Sequence, residues 1–476
     1  MMSDHTPQHG ARNLALRTIT AIVSTLLLAL SIGLVAVGLP VGIVNAFEGP
    51  KPPIASIEVV PAEPDRMLVC MGPALSFGSQ SASAVGYGPA TETIVGSDTT
   101  VTPILDTSVV DGFSLESALI AEPPVVVSQP VDSGSLAASS SQTLNNLNVT
   151  GLATSECQIP SREAWLVGGE TTVGRQTALS LINPSDIPAL VDISVWGQTG
   201  PIVAPLGRGI LVAPMSQRVL SVAGLAPEER SPVLRVTSAG VGIVAALHYS
   251  IYRGLEADGL SVMGSQPGPS TERVITGAYS PPEEISGPIR GKDGYQDFGA
   301  IVRLLSPDED TRAQVTVALV GAEPSMITVD LVAGETKDLL LDEFGSGDLA
   351  LLIQSSAPVV ASIRTSVGTD QRTDTDWVGS APLIIGETAF AVPAGGEARL
   401  SLVNPGTEDV SVRLDGRDVS VPARSLATRP VSPGGHEISS TQPVYAGLSL
   451  RGETVIDSVM VLPTPERQGS VFVSVR

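Results

Sequence analysis

Leu179-Ser180-Leu181-Ile182-Asn183-Pro184, Val302-Arg303-Leu304-Leu305-Ser306-Pro307 and Leu400-Ser401-Leu402-Val403-Asn404-Pro405 are three copies of one phrase. Each opens with an apolar residue at every second position, the period of a strand with one buried face. Each ends at a proline, which lacks an N–H for a ladder and drives the preceding residue out of the helical region. Polar residues follow (Ser185-Asp186, Asp308-Glu309-Asp310, Gly406-Thr407-Glu408-Asp409), and then a second alternating strand: Val191, Ile193, Val195; Val315, Val317, Leu319; Val410, Val412, Leu414. Each copy therefore begins as strand, turn, strand.

The copies also close alike, with Val233-Leu234-Arg235-Val236-Thr237-Ser238, with Leu351-Leu352-Ile353-Gln354-Ser355-Ser356-Ala357-Pro358-Val359-Val360-Ala361 and with Ile438-Ser439-Ser440-Thr441-Gln442-Pro443-Val444-Tyr445-Ala446. From the opening proline to the closing alanine they span 61 residues (184 to 245), 54 (307 to 361) and 41 (405 to 446). Six or seven short strands in that length fit a small β-sandwich. The expected fold class is all-β: an N-terminal transmembrane helix followed by tandem, Ig-like β-sandwich repeats at 161–265, 266–376 and 377–476.

The phrase Leu-Ser-Leu-Val-Asn-Pro, an alternating strand, Val421-Pro422-Ala423, then Ser-Ser-x-x-Pro-Val-x-Ala resembles extracytoplasmic β-sandwich repeats of bacterial envelope proteins. Taken with Trp165-Leu166-Val167-Gly168-Gly169 and Leu68-Val69-Cys70-Met71-Gly72-Pro73, the pattern resembles the actinobacterial family of unknown function labelled DUF5719, over roughly residues 55–463. The resemblance implies a membrane-anchored or secreted envelope protein and supplies no catalytic residues.

Ahead of the repeats, residues 18–47 hold no charge, while Arg12 and Arg17 precede them and Glu48 follows. An apolar run of that length can span a bilayer. Basic residues before it place residues 1–17 in the cytoplasm as a tail and everything downstream outside. The reading is a single-pass membrane anchor. The rival is a cleaved signal peptide, because Val44-Asn45-Ala46 offers small residues for cleavage. Residues 48–64 carry five prolines and read as a stiff stalk.

The chain has two cysteines, Cys70 and Cys157. In an oxidising compartment they most simply form one disulfide, enclosing an N-terminal β domain at 65–160. No histidine, lysine or second cysteine stands near either thiol in sequence to polarise it for redox work.

Charge narrows the partners. Forty-nine acidic against 27 basic residues give −22, a field that repels phosphate backbones, so no nucleic-acid partner is expected. The partners that fit are a membrane, through the N-terminal run, and another envelope protein or a cell-wall glycan. Aromatics make up only 3% of the chain. Trp165 and Trp377 each lead into a repeat; they read either as plugs of a sandwich core or as a candidate ligand platform.

Chemistry is scarce. The histidines are His5, His9, His248 and His436, with no metal-ligand spacing among them, and no nucleophile elbow, Walker loop or dinucleotide fingerprint occurs. Asp308-Glu309-Asp310 and the set Asp370, Asp374 and Asp376 read as solvated turn acids, with Ca²⁺ as the sharper alternative. No catalytic, cofactor-binding or metal residue is assigned, and no cofactor is expected. The favoured reading is a non-enzymatic extracytoplasmic protein with a structural or protein-interaction role. The alternatives are an envelope-glycan-binding module and a hydrolase with a carboxylate pair that leaves no motif.

Overall fold

The computed structural model describes residues 56–59, 65–77, 84–104, 106–111, 114–117, 122–145, 149–254, 256–295, 297–369, 372–464 and 471–474. The chain divides into two compact units: Pro64–Glu466, and a smaller one built from Met1–Glu63 with Arg467–Arg476. In the smaller unit Ser56–Val59 pairs antiparallel with Val471–Ser474. Part of the presumed stalk is thus a strand, and the alternating C-terminal run Ser470-Val471-Phe472-Val473-Ser474-Val475, whose pattern predicts a strand completing the last sheet, pairs with it instead. The place beside Gly434–Arg451 in that sheet is already held by Ile456–Met460.

In the larger unit the second and third repeats share one seven-strand plan. The second runs Ser270–Ser280, Ile301–Leu305, Thr311–Leu319, Ser325–Leu331, Thr336–Leu340, Gly347–Gly368 and Thr373–Gly379; the third runs Ile384–Val392, Glu397–Asn404, Val410–Leu414, Arg417–Val421, Ser425–Pro430, Gly434–Arg451 and Ile456–Met460. In each, the first half of the long sixth strand lies between strands one and three, and its second half lies between strands two and seven. The first repeat follows the same path, but its sixth strand is broken into Val233–Ala239 and Val244–Arg253. Gly240, at φ +92°, takes the left-handed bend there that a side chain would resist.

The expectation of tandem Ig-like sandwiches is thereby corrected. One continuous strand of 22 residues, Gly347–Gly368, passes through both sheets of the second repeat, and one of 18, Gly434–Arg451, does so in the third. The two layers of each repeat are thus fused into an open half-barrel. The repeats are also not independent modules in a row. The inner strands Thr150–Glu156, Glu256–Gly264, Thr373–Gly379 and Ile456–Met460 each pack on the next, and the fourth packs back on the first. The result is a closed, propeller-like ring to which the N-terminal segment contributes one member.

Cores interlock across the ring for the same reason. Trp377, from the second repeat, packs into the core of the first beside Leu166, Leu247 and Tyr249. Leu152, from the N-terminal segment, packs into the core of the third beside Leu400 and Val459. The N-terminal segment reaches further, since its strand Asp106–Asp111 runs parallel to Ser216–Ser221 and widens a sheet of the first repeat.

The prolines and glycines of residues 256–298 suggest a crossing between repeats with one or two strands, but the segment contains an inner strand, an eleven-residue strand and the helix Glu283–Arg290. No helix among the described residues is long and apolar enough to cross a membrane. The anchor expected at 18–47 lies outside the described residues.

The opening phrase has a local cause visible in its side chains. Asn183 Nδ2 donates to the carbonyls of Ile187 (2.8 Å) and Val212 (3.1 Å), while its Oδ1 accepts the amide of Ser185 at 3.0 Å. Asn404 repeats the arrangement with Glu408 (2.7 Å), Val421 (3.1 Å) and the amide of Gly406 (2.9 Å). The asparagine thus caps its own turn and ties it to a neighbouring strand, satisfying buried backbone groups that the proline cannot.

Candidate functional site

The ring encloses a carboxylate on its axis. Asp374 Oδ1 accepts the amides of Leu260 (3.1 Å) and Thr375 (3.0 Å), and Oδ2 accepts those of Leu152 (3.0 Å) and Ile456 (3.1 Å). Each inner strand contributes one donor. Four donors match the four lone-pair positions of a carboxylate. Room for the carboxylate comes from two glycines: a Cβ on Gly151 would stand 2.5 Å from Asp374 Oδ1, and one on Gly259 would stand 3.2 Å from Asp374 Cα. Burial pushes the Asp374 carboxyl well above the usual range, while the four amides pull it the other way.

Two residues along, Asp376 and Asp457 face each other, hydrogen-bonded carboxyl to carboxyl. Ser261 Oγ donates to Asp376 Oδ1 at 3.2 Å. The amides of Thr154 and Ser458 donate to Asp457 at 2.6 and 2.8 Å. Burial raises both acids, and the neighbouring Asp376 charge raises Asp457 further. Next along lies Glu156, its carboxylate accepting from the amide of Met460 (3.0 Å) and from Gln158 Nε2 (2.8 Å), and its pKa too is raised by burial.

A cleft of about 1020 Å³ opens between the first and second repeats, lined by Val173, Arg230, Tyr252, Tyr295, Asp293 and Leu340 among others. Its floor is charged. Arg175 Nη2 and Arg253 Nη1 meet Asp297 at 2.6 and 3.0 Å, and Arg364 Nη1 lies 3.9 Å from both Asp297 and Glu170. Burial would raise the Asp297 carboxyl, but Arg364, Arg175 and Arg253 outweigh it and hold it at about 2. The Arg253 guanidinium lies over the Tyr295 ring, 3.9 Å from its centroid.

Beside the floor, Arg303 stitches the two repeats together. From the second repeat it forks onto Asp338 (2.9 and 3.0 Å) and donates to the carbonyls of Gly169 (2.9 Å), Arg230 (2.9 Å) and Pro232 (3.2 Å) in the first.

Cys70 and Cys157 form a disulfide that ties the strand Arg66–Cys70 to the residue just after the first inner strand. Trp165 is 3% exposed and stacks on Trp196 at 5.3 Å, its Nε1 donating to Glu163 at 2.9 Å. Trp377 is 2% exposed and meets Tyr249 edge-on at 6.4 Å. Both rings are enclosed by protein, in different places, and the fold does not bring them together. Asp310 accepts the amide of Ala333 at 2.8 Å as a turn cap, and no His/Cys/Asp/Glu group among the described residues is arranged to hold a metal ion. His248 is buried between the amide of Leu75 (3.3 Å) and Ser180 Oγ (3.1 Å). His436 pairs with Asp415 at 2.6 Å.

Asp374 and Asp376, expected from sequence as solvated turn acids or a Ca²⁺ set with Asp370, are instead buried on the axis, while Asp370 lies outside the described residues; Glu156, Asp457 and the arginine floor were not singled out from sequence. A signal for the axis exists in the alignment of Gly151-Leu152, Gly259-Leu260, Asp374-Thr375 and Val455-Ile456, where the second residue of each pair supplies the amide to Asp374.

Comparison with known proteins adds a family and little else. The family of unknown function DUF5719 matches residues 115–432. No curated protein matches the chain. A crystal structure of a tetra-tandem repeat in the extending region of a large adhesion protein aligns over 83% of this chain and 98% of its own at 13% identity; its TM-score of 0.10 carries no structural argument.

Proposed function

The chain belongs to the DUF5719 family, whose function is unknown, and we propose that it is an exported, non-enzymatic scaffold that binds another envelope protein. The observation that carries this reading is the cleft between the first and second repeats. Its walls are cross-tied by Arg303 and by the Asp297 network, so it is pre-organised, which lowers the cost of binding. Its rim carries an apolar side chain, Val173, that is 95% exposed, beside arginine and tyrosine, residue types that anchor protein interfaces.

Export is supported by the Cys70–Cys157 disulfide, since such bonds persist in oxidising compartments. A non-catalytic role is supported by the use made of the acids. The buried carboxyl pair Asp376 and Asp457 is 1% exposed and occupied with holding inner strands together, whereas a hydrolase needs its pair flanking a substrate. A glycan ligand is the second reading, favoured by Tyr252 and Tyr295 lining the cleft.

The test is a crosslinking pull-down from intact cells with the full chain and with a Val173→Glu/Arg230→Glu variant. Enrichment of one envelope protein that the variant loses supports the reading. Recovery of polysaccharide supports the glycan alternative instead. Equal capture of the same protein by the variant removes the cleft as the binding surface.

A further inference from the structure

We propose that the ring is latched by one proton shared between Asp376 and Asp457, so that rising pH releases the inner strand of the third repeat from its neighbours.

The placement of the two acids makes the case. They sit on adjacent inner strands, Thr373–Gly379 and Ile456–Met460, with 1% of either residue exposed. Asp376 Oδ2 is buried without a hydrogen-bond partner; the side chains that reach this carboxyl are Ser261, Ser458 and the facing Asp457, and of these the acid has a proton whose loss changes the charge. Two buried carboxyls hydrogen-bonded to each other cannot both ionise without strong repulsion in a medium of low dielectric.

The other charged groups on the packed elements do not relieve that repulsion. Glu156 and Asp374 lie along the same axis and are acidic, as is Asp258, which accepts the amide of Thr373 at 3.1 Å. Arg303 and Arg364 lie over the Trp377 ring, 4.5 and 5.8 Å from its centroid, and are engaged with Asp338 and with Asp297 and Glu170. Arg372 donates to Leu144 O, and Arg451 pairs with Asp348 at 2.9 Å.

The strand that carries Asp457 is also the one able to move. It is five residues long and hydrogen-bonded in a ladder on one side only, to Gly434–Arg451. Its hold on the ring is through side chains and single amides: Asp457 to Thr154, Met460 to Glu156, and Ile456 to Asp374. Loss of the shared proton strains the first of these directly and the others through the same strand.

The sign follows from linkage. Both acids are raised by burial above the ordinary 3.8, so their contribution to stability is complete below about that pH and is lost as pH rises through the raised folded values.

Hydrogen–deuterium exchange of the full chain from pH 4 to 9, corrected for the pH dependence of intrinsic rates, tests this without a variant. Protection is expected to fall first at residues 456–460 and at Thr154, ahead of the outer strands. Uniform loss, or no loss at 456–460, overturns the proposal. Asp376→Asn keeps an oxygen for Ser261 and puts an N–H at the unpartnered Oδ2 position, facing Asp457, without a second negative charge. It is expected to flatten the decline in melting temperature with rising pH and to keep 456–460 protected. A decline as steep as that of wild type contradicts the shared proton.

Discussion

Asp374 Oδ2 accepts the amide of Leu152 at 3.0 Å across 222 residues of sequence. The same carboxylate takes an amide from each of the other three inner strands, so a single side chain registers four segments against one another. Buried amides left without an acceptor cost about 1–3 kcal/mol each, which makes this residue a condition of the ring rather than an ornament on it.

The glycines facing Asp374 follow from that geometry. Gly259 has φ +120°, and a Cβ there would lie 3.2 Å from the Thr375 nitrogen. Gly259→Ala is therefore expected to destabilise the protein by roughly 1–3 kcal/mol. Gly134→Ala, at φ +90° with nothing within 4 Å, controls for backbone strain alone and should cost less. Urea denaturation of the two variants checks the difference.

Arg303 predicts a large and asymmetric mutational cost. It is 1% exposed and replaces the serine found at the same place in the other two phrases, Ser180 and Ser401. Arg303→Met leaves Asp338 with Ser231 Oγ (2.8 Å) in place of its charged partner and takes the Arg303 donor from three carbonyls of the first repeat, and is expected to cost about 3–5 kcal/mol. Arg303→Lys keeps the charge but not the planar fork and should recover only part of the loss. Thermal melts of both variants, with circular dichroism as the readout, decide this.

Removing the disulfide should destabilise without unmaking the ring. The bond encloses a separation of 87 residues, and bonds of this kind contribute typically 2–4 kcal/mol. Cys70→Ser/Cys157→Ser is expected to unfold at lower urea, and wild type with reductant should match it. A reductant effect persisting in the double serine variant would contradict that assignment.

On the acid side, His248 and Asp297 set the expected behaviour. Burial lowers His248 to about 3, below its ordinary 6.5, so its contribution is whole above pH 6.5 and is lost as pH falls towards 3. The stability gap between wild type and His248→Gln should narrow over that range. Asp297, held at about 2, contributes above pH 3.8 and loses that contribution below it. Asp297→Asn should therefore cost most near neutrality and least near pH 2. Both gaps are read from urea midpoints measured across pH.

The repeated strand–turn–strand unit was legible because its cause is local. Asn183 and Asn404 cap turns within a few residues, and the alternation of Val191, Ile193 and Val195 follows the pleat. The ring was not legible, because what builds it is non-local. Asp374 and Asp376 look like loop acids in a run of Thr and Asp, and only three partner strands from distant sequence turn them into a socket. The sandwich expectation failed for a related reason. Sandwich layers need separate strands, yet the strand Gly347–Gly368 runs through Ser355-Ser356-Ala357-Pro358 without a break and fuses the sheets. The fourth member of the ring lacked the opening phrase altogether, and Gly151-Leu152 shows its kinship only beside Gly259-Leu260.

The most direct test of the ring is residue-resolved amide exchange of wild type and Asp374→Ala at pH 7. The account predicts that the amides of Leu152, Leu260, Thr375 and Ile456, far apart in sequence but joined at one carboxylate, lose protection together. Loss confined to Thr375 and its chain neighbours would contradict a socket shared by four strands.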